Sequence, residues 1–234
     1  MVKGEREMNG VGGFYRISEW VMRFTGINLL WLFFNLPIVF IVMGMIAAEK
    51  QGEVVLLLVF FILLAPFLFF PATAAMFASV RDWTVKEEST ALVKLYWTYY
   101  KENYKKSMVG GLILTAMWSV WGADYYYFSQ ESIILMFTFI VIGAVLFVFT
   151  INYFSINAHY HLKLGALLKK AMLITIGSPL LFFTVFITSS IILYVSLSGP
   201  LLIIVFASGS LIAFLSFSAF YRMYLKLTMQ SIAD

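Results

Sequence analysis

The sequence predicts an all-α fold: a polytopic transmembrane helical bundle of six spans, with amphipathic cytoplasmic helices. Three observations predict it. Of the 234 residues, 62% are hydrophobic and 12% charged, with a mean hydropathy of +0.92, against about 45–50% apolar and about 25% charged in a soluble domain. The apolar residues gather into six stretches that meet or approach the roughly 20 residues needed to cross a bilayer core about 30 Å thick. Lys and Arg fall almost wholly between those stretches.

The spans predicted from hydropathy are Thr25 to Ala48, Val54 to Val80, Met108 to Ala123, Ser132 to Asn157, Ala171 to Ser198 and Leu201 to Tyr221, and none contains Lys, Arg, Asp, Glu or His. The first is longer than a signal-peptide core and is followed by further spans, so it is expected to be retained. The second carries Pro66 and Pro71, which remove backbone donors and should kink or interrupt it. The third is the shortest and ends against Asp124 and the aromatic run Tyr125 to Phe128, a composition suited to a membrane interface. Gly199-Pro200 should separate the last two spans by a tight turn.

With six spans, one side receives Lys3, Arg6, Arg16, Arg23, Arg81, Lys86, Lys94, Lys101, Lys105, Lys106, Lys163, Lys169, Lys170, Arg222 and Lys226, and the other receives Lys50. That split of fifteen to one places both termini inside by the positive-inside rule. The net charge of +4 is thereby an orientation signal, with no nucleic-acid partner implied. The expected organisation is a cytoplasmic N-terminal amphipathic segment over 1–24, a membrane domain over 25–221 and a cytoplasmic tail over 222–234.

On the cytoplasmic side, Gly12-Gly13 reads as a loop. Phe14 to Phe24 reads as a short interfacial helix in which Glu19 and Arg23 form an i,i+4 pair. A larger amphipathic loop spans about 81–106. In its second half Lys94, Thr98, Lys101 and Lys105 share one helical face; Leu92, Tyr96, Tyr99 and Asn103 share another, with Val93, Tyr100 and Tyr104 beside them. A basic face opposed to an aromatic one suits a helix resting on anionic lipid, or one that docks a cytoplasmic partner.

Enzymatic chemistry is not indicated. There is no cysteine, hence no thiol chemistry and no Cys-ligated metal. The P-loop, H-E-x-x-H and G-x-S-x-G patterns are absent, and the Gly-rich Asn9 to Gly13 follows no strand. His159 and His161, two apart on a helix, point to different sides, so no metal site and no cofactor is expected. The spans lack the ionisable residues on which proton relays and ion-coupled transporters depend. They do carry small and hydroxylated residues: Ser107, Gly111, Thr115 and Ser119 recur every four residues, Gly209 and Ala213 stand four apart, and Thr184, Thr188, Ser189 and Ser190 cluster. Such ridges serve close helix packing, or else line a polar path.

Several segments together resemble the YesL-like family of bacterial membrane proteins: Gly12-Gly13-Phe14-Tyr15-Arg16-Ile17-Ser18-Glu19-Trp20, Asn28-Leu29-Leu30-Trp31, Pro71-Ala72-Thr73-Ala74-Ala75-Met76-Phe77 with Arg81 and Trp83, and Tyr99-Tyr100-Lys101-Glu102-Asn103-Tyr104. The resemblance covers the first half well and the rest mainly by hydropathy. It implies a multi-pass protein of the bacterial plasma membrane. By association of family members with sugar-oligomer ABC importers, it also implies an accessory or assembly role in carbohydrate import. Pro71, Thr73, Arg81, Trp83, Tyr96, Tyr100 and Lys101 are then the candidate partner contacts. An autonomous facilitator of a small solute and a membrane sensor are the competing readings.

Overall fold

The computed structural model describes residues 2–85, 91–200 and 203–233, with side chains from Ile17 onward to 230. The expectation for Lys86 lies outside these, as do those for side chains before Ile17. Every regular element among the described residues is helical: α1 (Val2–Phe34), α2 (Leu36–Ala47), α3 (Gln51–Leu64), α4 (Phe69–Val85), α5 (Leu92–Glu131), α6 (Ile133–His159), α7 (Leu164–Gly177), α8 (Pro179–Ser198) and α9 (Gly209–Ala233), the last preceded by a π-helical turn at Ile204–Ser208.

Proline and glycine decide where the helices break. Pro66 interrupts the second apolar stretch as expected, and α3 and α4 are bent by 53° across it. Pro71 sits inside the first turn of α4 and so continues that helix. Pro37 breaks the first stretch: it sits at the start of α2, and α1 and α2 are bent by 77°. Asn35 softens that break by donating its side-chain amide to the Trp31 carbonyl at 2.8 Å. Pro179 opens α8, so the predicted fifth span Ala171 to Ser198 is two helices. The turn at Gly199-Pro200 is present, closed by Ile203 N–H donating to the Pro200 carbonyl at 2.9 Å.

Two expected boundaries are absent. The helix passes through Gly12-Gly13 without a loop, so the amphipathic segment and the start of the first span are one helix. The 81–106 element is likewise not separate. Its first residues finish α4, and the stretch from Leu92 is the opening of α5, whose 40 residues make about 60 Å of helix, twice the thickness of a bilayer core. No Gly or Pro stands between Leu92 and Ser107 to stop it.

Among the described residues three helical stretches, α6, α8 and Ile204–Gln230, are long and apolar enough to cross a membrane, or five if each bent pair counts as one span. The packing is that of a membrane protein. Large apolar side chains such as Leu180, Leu197 and Ile46 are 77–81% exposed, while Asn28, Ser79, Asn152 and Ser155 are wholly buried. α4 is the centre, buried from Phe70 through Val80 and again at Asp82 and Trp83. Its small residues Ala72, Thr73, Ala74, Ala75, Ala78 and Ser79 let α1, α5, α6 and α9 close around it. The α2–α3 hairpin, by contrast, buries little beyond Ile38.

Candidate functional site

Three features carry polar or open chemistry. The first is a knot at the C-terminal end of α4. Arg81 donates to Asp82 Oδ1 from Nε at 3.1 Å and from Nη2 at 2.7 Å, and Nη1 reaches the Ala158 carbonyl in the last turn of α6 at 2.8 Å. The Tyr99 hydroxyl donates to Asp82 and accepts from Arg81 at 3.2 Å. Burial, and then the hydrogen bond to the Asp82 carboxylate, push the Tyr99 phenol up to about 12. The guanidinium also meets the negative end of the α6 dipole. Arg81, read from sequence as a partner contact, is therefore employed inside the chain, fastening α4, α5 and α6.

The second feature is the opening of α5. Tyr96 is wholly buried, its hydroxyl donating to the Ala72 carbonyl at 2.9 Å. Tyr100 packs its ring against Phe34 with centroids 4.5 Å apart. Trp83 is 3% exposed, edge-on to Trp20 and Phe24, and the expected Glu19–Arg23 pair forms beside them. The aromatic face thus faces protein. Beside the exposed Lys94 and Thr98 lies a stripe of Val93 (65% exposed), Trp97 (44%) and Lys101, the ammonium 4.7 Å from the Trp97 ring centroid, while the same ring also stacks on Phe34 and Tyr100. In the sequence the tyrosines around Trp97 define the more obvious face.

The third is a cleft of about 1270 Å³ bounded by α3, α4, α5, α6 and α9. Thr73 lies in its wall, accepting from Trp31 Nε1 at 3.0 Å and donating to the Phe69 carbonyl at 2.7 Å. Trp118 Nε1 donates to Thr150 Oγ1 at 3.1 Å. Thr115 is buried with no partner for its hydroxyl, and Ser119 is half-buried.

Along the small-residue ridge Ser107, Gly111 and Thr115 are buried and Ser119 is half-buried, while Leu112 is exposed. A Cβ at Gly111 would stand 2.7 Å from Phe70 Cγ, so the site admits only glycine without movement. Ala213 is wholly buried, and a Cβ at Gly209 would meet Asn28 Oδ1 at 3.0 Å. Pro71 is buried with the rest of α4. Asn28 itself was read only as part of a motif, yet it holds the π-helical turn. Its amide donates to the Ile204 and Val205 carbonyls at 2.9 and 2.7 Å, and its oxygen accepts from Ser210 N–H at 3.0 Å. The π turn displaces those carbonyls from ordinary i,i+4 bonding, and the buried amide satisfies them.

Residues 24–125 match the model of a family described as a protein of unknown function, DUF624. The chain is also similar to the uncharacterised protein YesL of Bacillus subtilis (strain 168), with 25% identity over 168 residues, 71% of this chain and 68% of that protein. This chain is a homologue of YesL. A second relative of the same organism, the uncharacterised YteU, is 27% identical over 172 residues, 70% of this chain and 66% of that one. YesV, also uncharacterised, is 28% identical over 137 residues, covering 57% and 66% respectively. The chain spans about two thirds of the length of these relatives. No solved structure matches it. The matched segment contains Arg81, Asp82 and Tyr99 of the knot, the α5 stripe and Asn28, whereas Ala158 and Gly12 to Trp20 fall outside it.

Proposed function

We propose that this chain is a non-enzymatic, multi-pass plasma-membrane accessory subunit that docks on the membrane subunits of a carbohydrate ABC importer through the Val93–Trp97–Lys101 stripe. The observation that carries the reading is the division of labour on α5. Tyr96, Tyr99 and Tyr100 are spent on internal packing, while Trp97 stays outward with a lysine across its face. Trp is among the residues that dominate contact energies between proteins. The Arg81 knot sets that surface rigidly against α4 and α6. The sugar-importer assignment rests on the YesL resemblance, and the chain carries no P-loop of its own.

Read with six spans, the fifteen-to-one split of Lys and Arg supports a cytoplasmic position for the Arg81 end of the bundle and for both termini. The facilitator reading is weaker. Among the described residues no Lys, Arg, Asp, Glu or His lines the cleft, and the wall hydroxyls of Thr73 and Thr150 are already engaged, so polar partners gather at the rim and the deep walls offer a passing sugar little to replace its water.

Deleting the gene and measuring oligosaccharide uptake tests the reading. Uptake should fall and be restored by the parent chain but not by Trp97→Ala. Normal uptake without the gene would overturn it. A cysteine replacing Thr98 should be shielded from impermeant reagents in intact cells while one replacing Ser198 labels; the reverse would invert the topology.

A further inference from the structure

The cleft has a graded character that the docking role leaves unused. Its floor is formed by Ala65, Phe70, Met76, Phe77 and Phe154, all buried, and its rim by Gln51, Val55 and Tyr126, all exposed. We propose that it binds an uncharged lipid, with alkyl chains along the apolar walls and a hydroxylated headgroup at the rim.

Four observations carry this. At about 1270 Å³ the cleft exceeds the roughly 300–1,000 Å³ of a small-molecule pocket, and apolar cavities do not hold ordered water, so alkyl chains are the fitting contents at bilayer depth. Ser119 lines the cleft and is half-buried, which places a hydroxyl in its wall. The rim offers the Gln51 amide and the Tyr125 and Tyr126 phenols as further donors and acceptors. Finally, the same end of the bundle carries Glu49, Glu53 and Asp124 against Lys50, a field that disfavours an anionic phosphodiester head and leaves a neutral polyol as the better match.

The test uses the full chain reconstituted in phosphatidylcholine vesicles containing equal amounts of diacylglycerol and phosphatidylglycerol of the same chain length, extracted in mild detergent and weighed by native mass spectrometry. The parent should retain diacylglycerol. Gly122 lines the cleft, and a Cβ there meets nothing within 4 Å, so Gly122→Phe fills the space without a backbone clash and should lower occupancy by about tenfold. Ser119→Ala removes a lining hydroxyl with little change of shape, and should lower occupancy by about three- to tenfold; it decides the matter should Gly122→Phe fold poorly. Preferential retention of phosphatidylglycerol, retention of neither lipid, or equal diacylglycerol occupancy in parent and both variants overturns the proposal.

Discussion

The Arg81 guanidinium donates to the Ala158 carbonyl across 2.8 Å, so the end of α4 and the end of α6, 77 residues apart in sequence, are held by one side chain. The same guanidinium neutralises Asp82, whose side chain is 7% exposed. Removing the cation leaves a buried carboxylate unpaired and the Ala158 carbonyl without its donor. Arg81→Leu should therefore destabilise the fold by about 3–5 kcal/mol, read as a lowered midpoint of thermal unfolding in detergent. Arg81→Leu combined with Asp82→Leu should recover part of that loss, because both charges are then gone. A single variant as stable as the parent would show the knot to be idle.

The Tyr99 phenol gives the knot a pH signature. Its proton is held more tightly in the folded chain, the value rising from 10.0 to about 12. The linked stability is complete below pH 10 and is lost as pH climbs toward 12. Ultraviolet titration of the folded protein should show a late phenolate phase that shrinks by one group in Tyr99→Phe. An unchanged late phase in that variant would remove Tyr99 from the account.

At the α4–α5 contact the close approach of Gly111 to Phe70 predicts that Gly111→Leu lowers folded yield sharply, by overpacking worth about 1–3 kcal/mol. Leu112, 46% exposed, should tolerate Ala. Should Leu112→Ala be the damaging change and Gly111→Leu neutral, as judged by monodispersity on size exclusion, the helix is rotated from the face described.

Which parts of this were legible in the sequence follows from the range of the interactions involved. The apolar runs, the kink at Pro66, the turn at Gly199-Pro200 and the small-residue ridge through Gly111 are local patterns, and each is present. The fusion of the 92–106 segment with the third stretch into one 40-residue helix was readable only as the lack of a breaker between them. The sequence placed the boundary where charge ends, but charge marks a membrane interface without ending a helix. The break at Pro37 is masked in the sequence because the apolar run continues on both sides of it. The roles of Asp82 and Asn28 depend on partners far away in the chain, Ala158 through Arg81 in one case and the π-helical turn in the other, and no periodicity encodes them. Tyr96 illustrates the same limit. Its place on an amphipathic face was legible, while its burial against the Ala72 carbonyl makes a Tyr96→Ala change a test of folding rather than of docking.

The docking claim is tested most directly by co-purification. The tagged chain, isolated from its native membranes in mild detergent, should carry the permease subunit of a carbohydrate ABC importer in stoichiometric amount. Trp97→Ala, which removes a ring that is 44% exposed but also stacks on Phe34 and Tyr100, should lower the fold's thermal midpoint only slightly while lowering that recovery by about thirtyfold or more, corresponding to a hot-spot loss of about 2 kcal/mol or above. Lys101→Ala should have a smaller effect, in keeping with the about 0.5–1 kcal/mol of an exposed cation–π contact. A parent chain that brings down no permease, or a Trp97→Ala variant that retains it fully, would contradict the account.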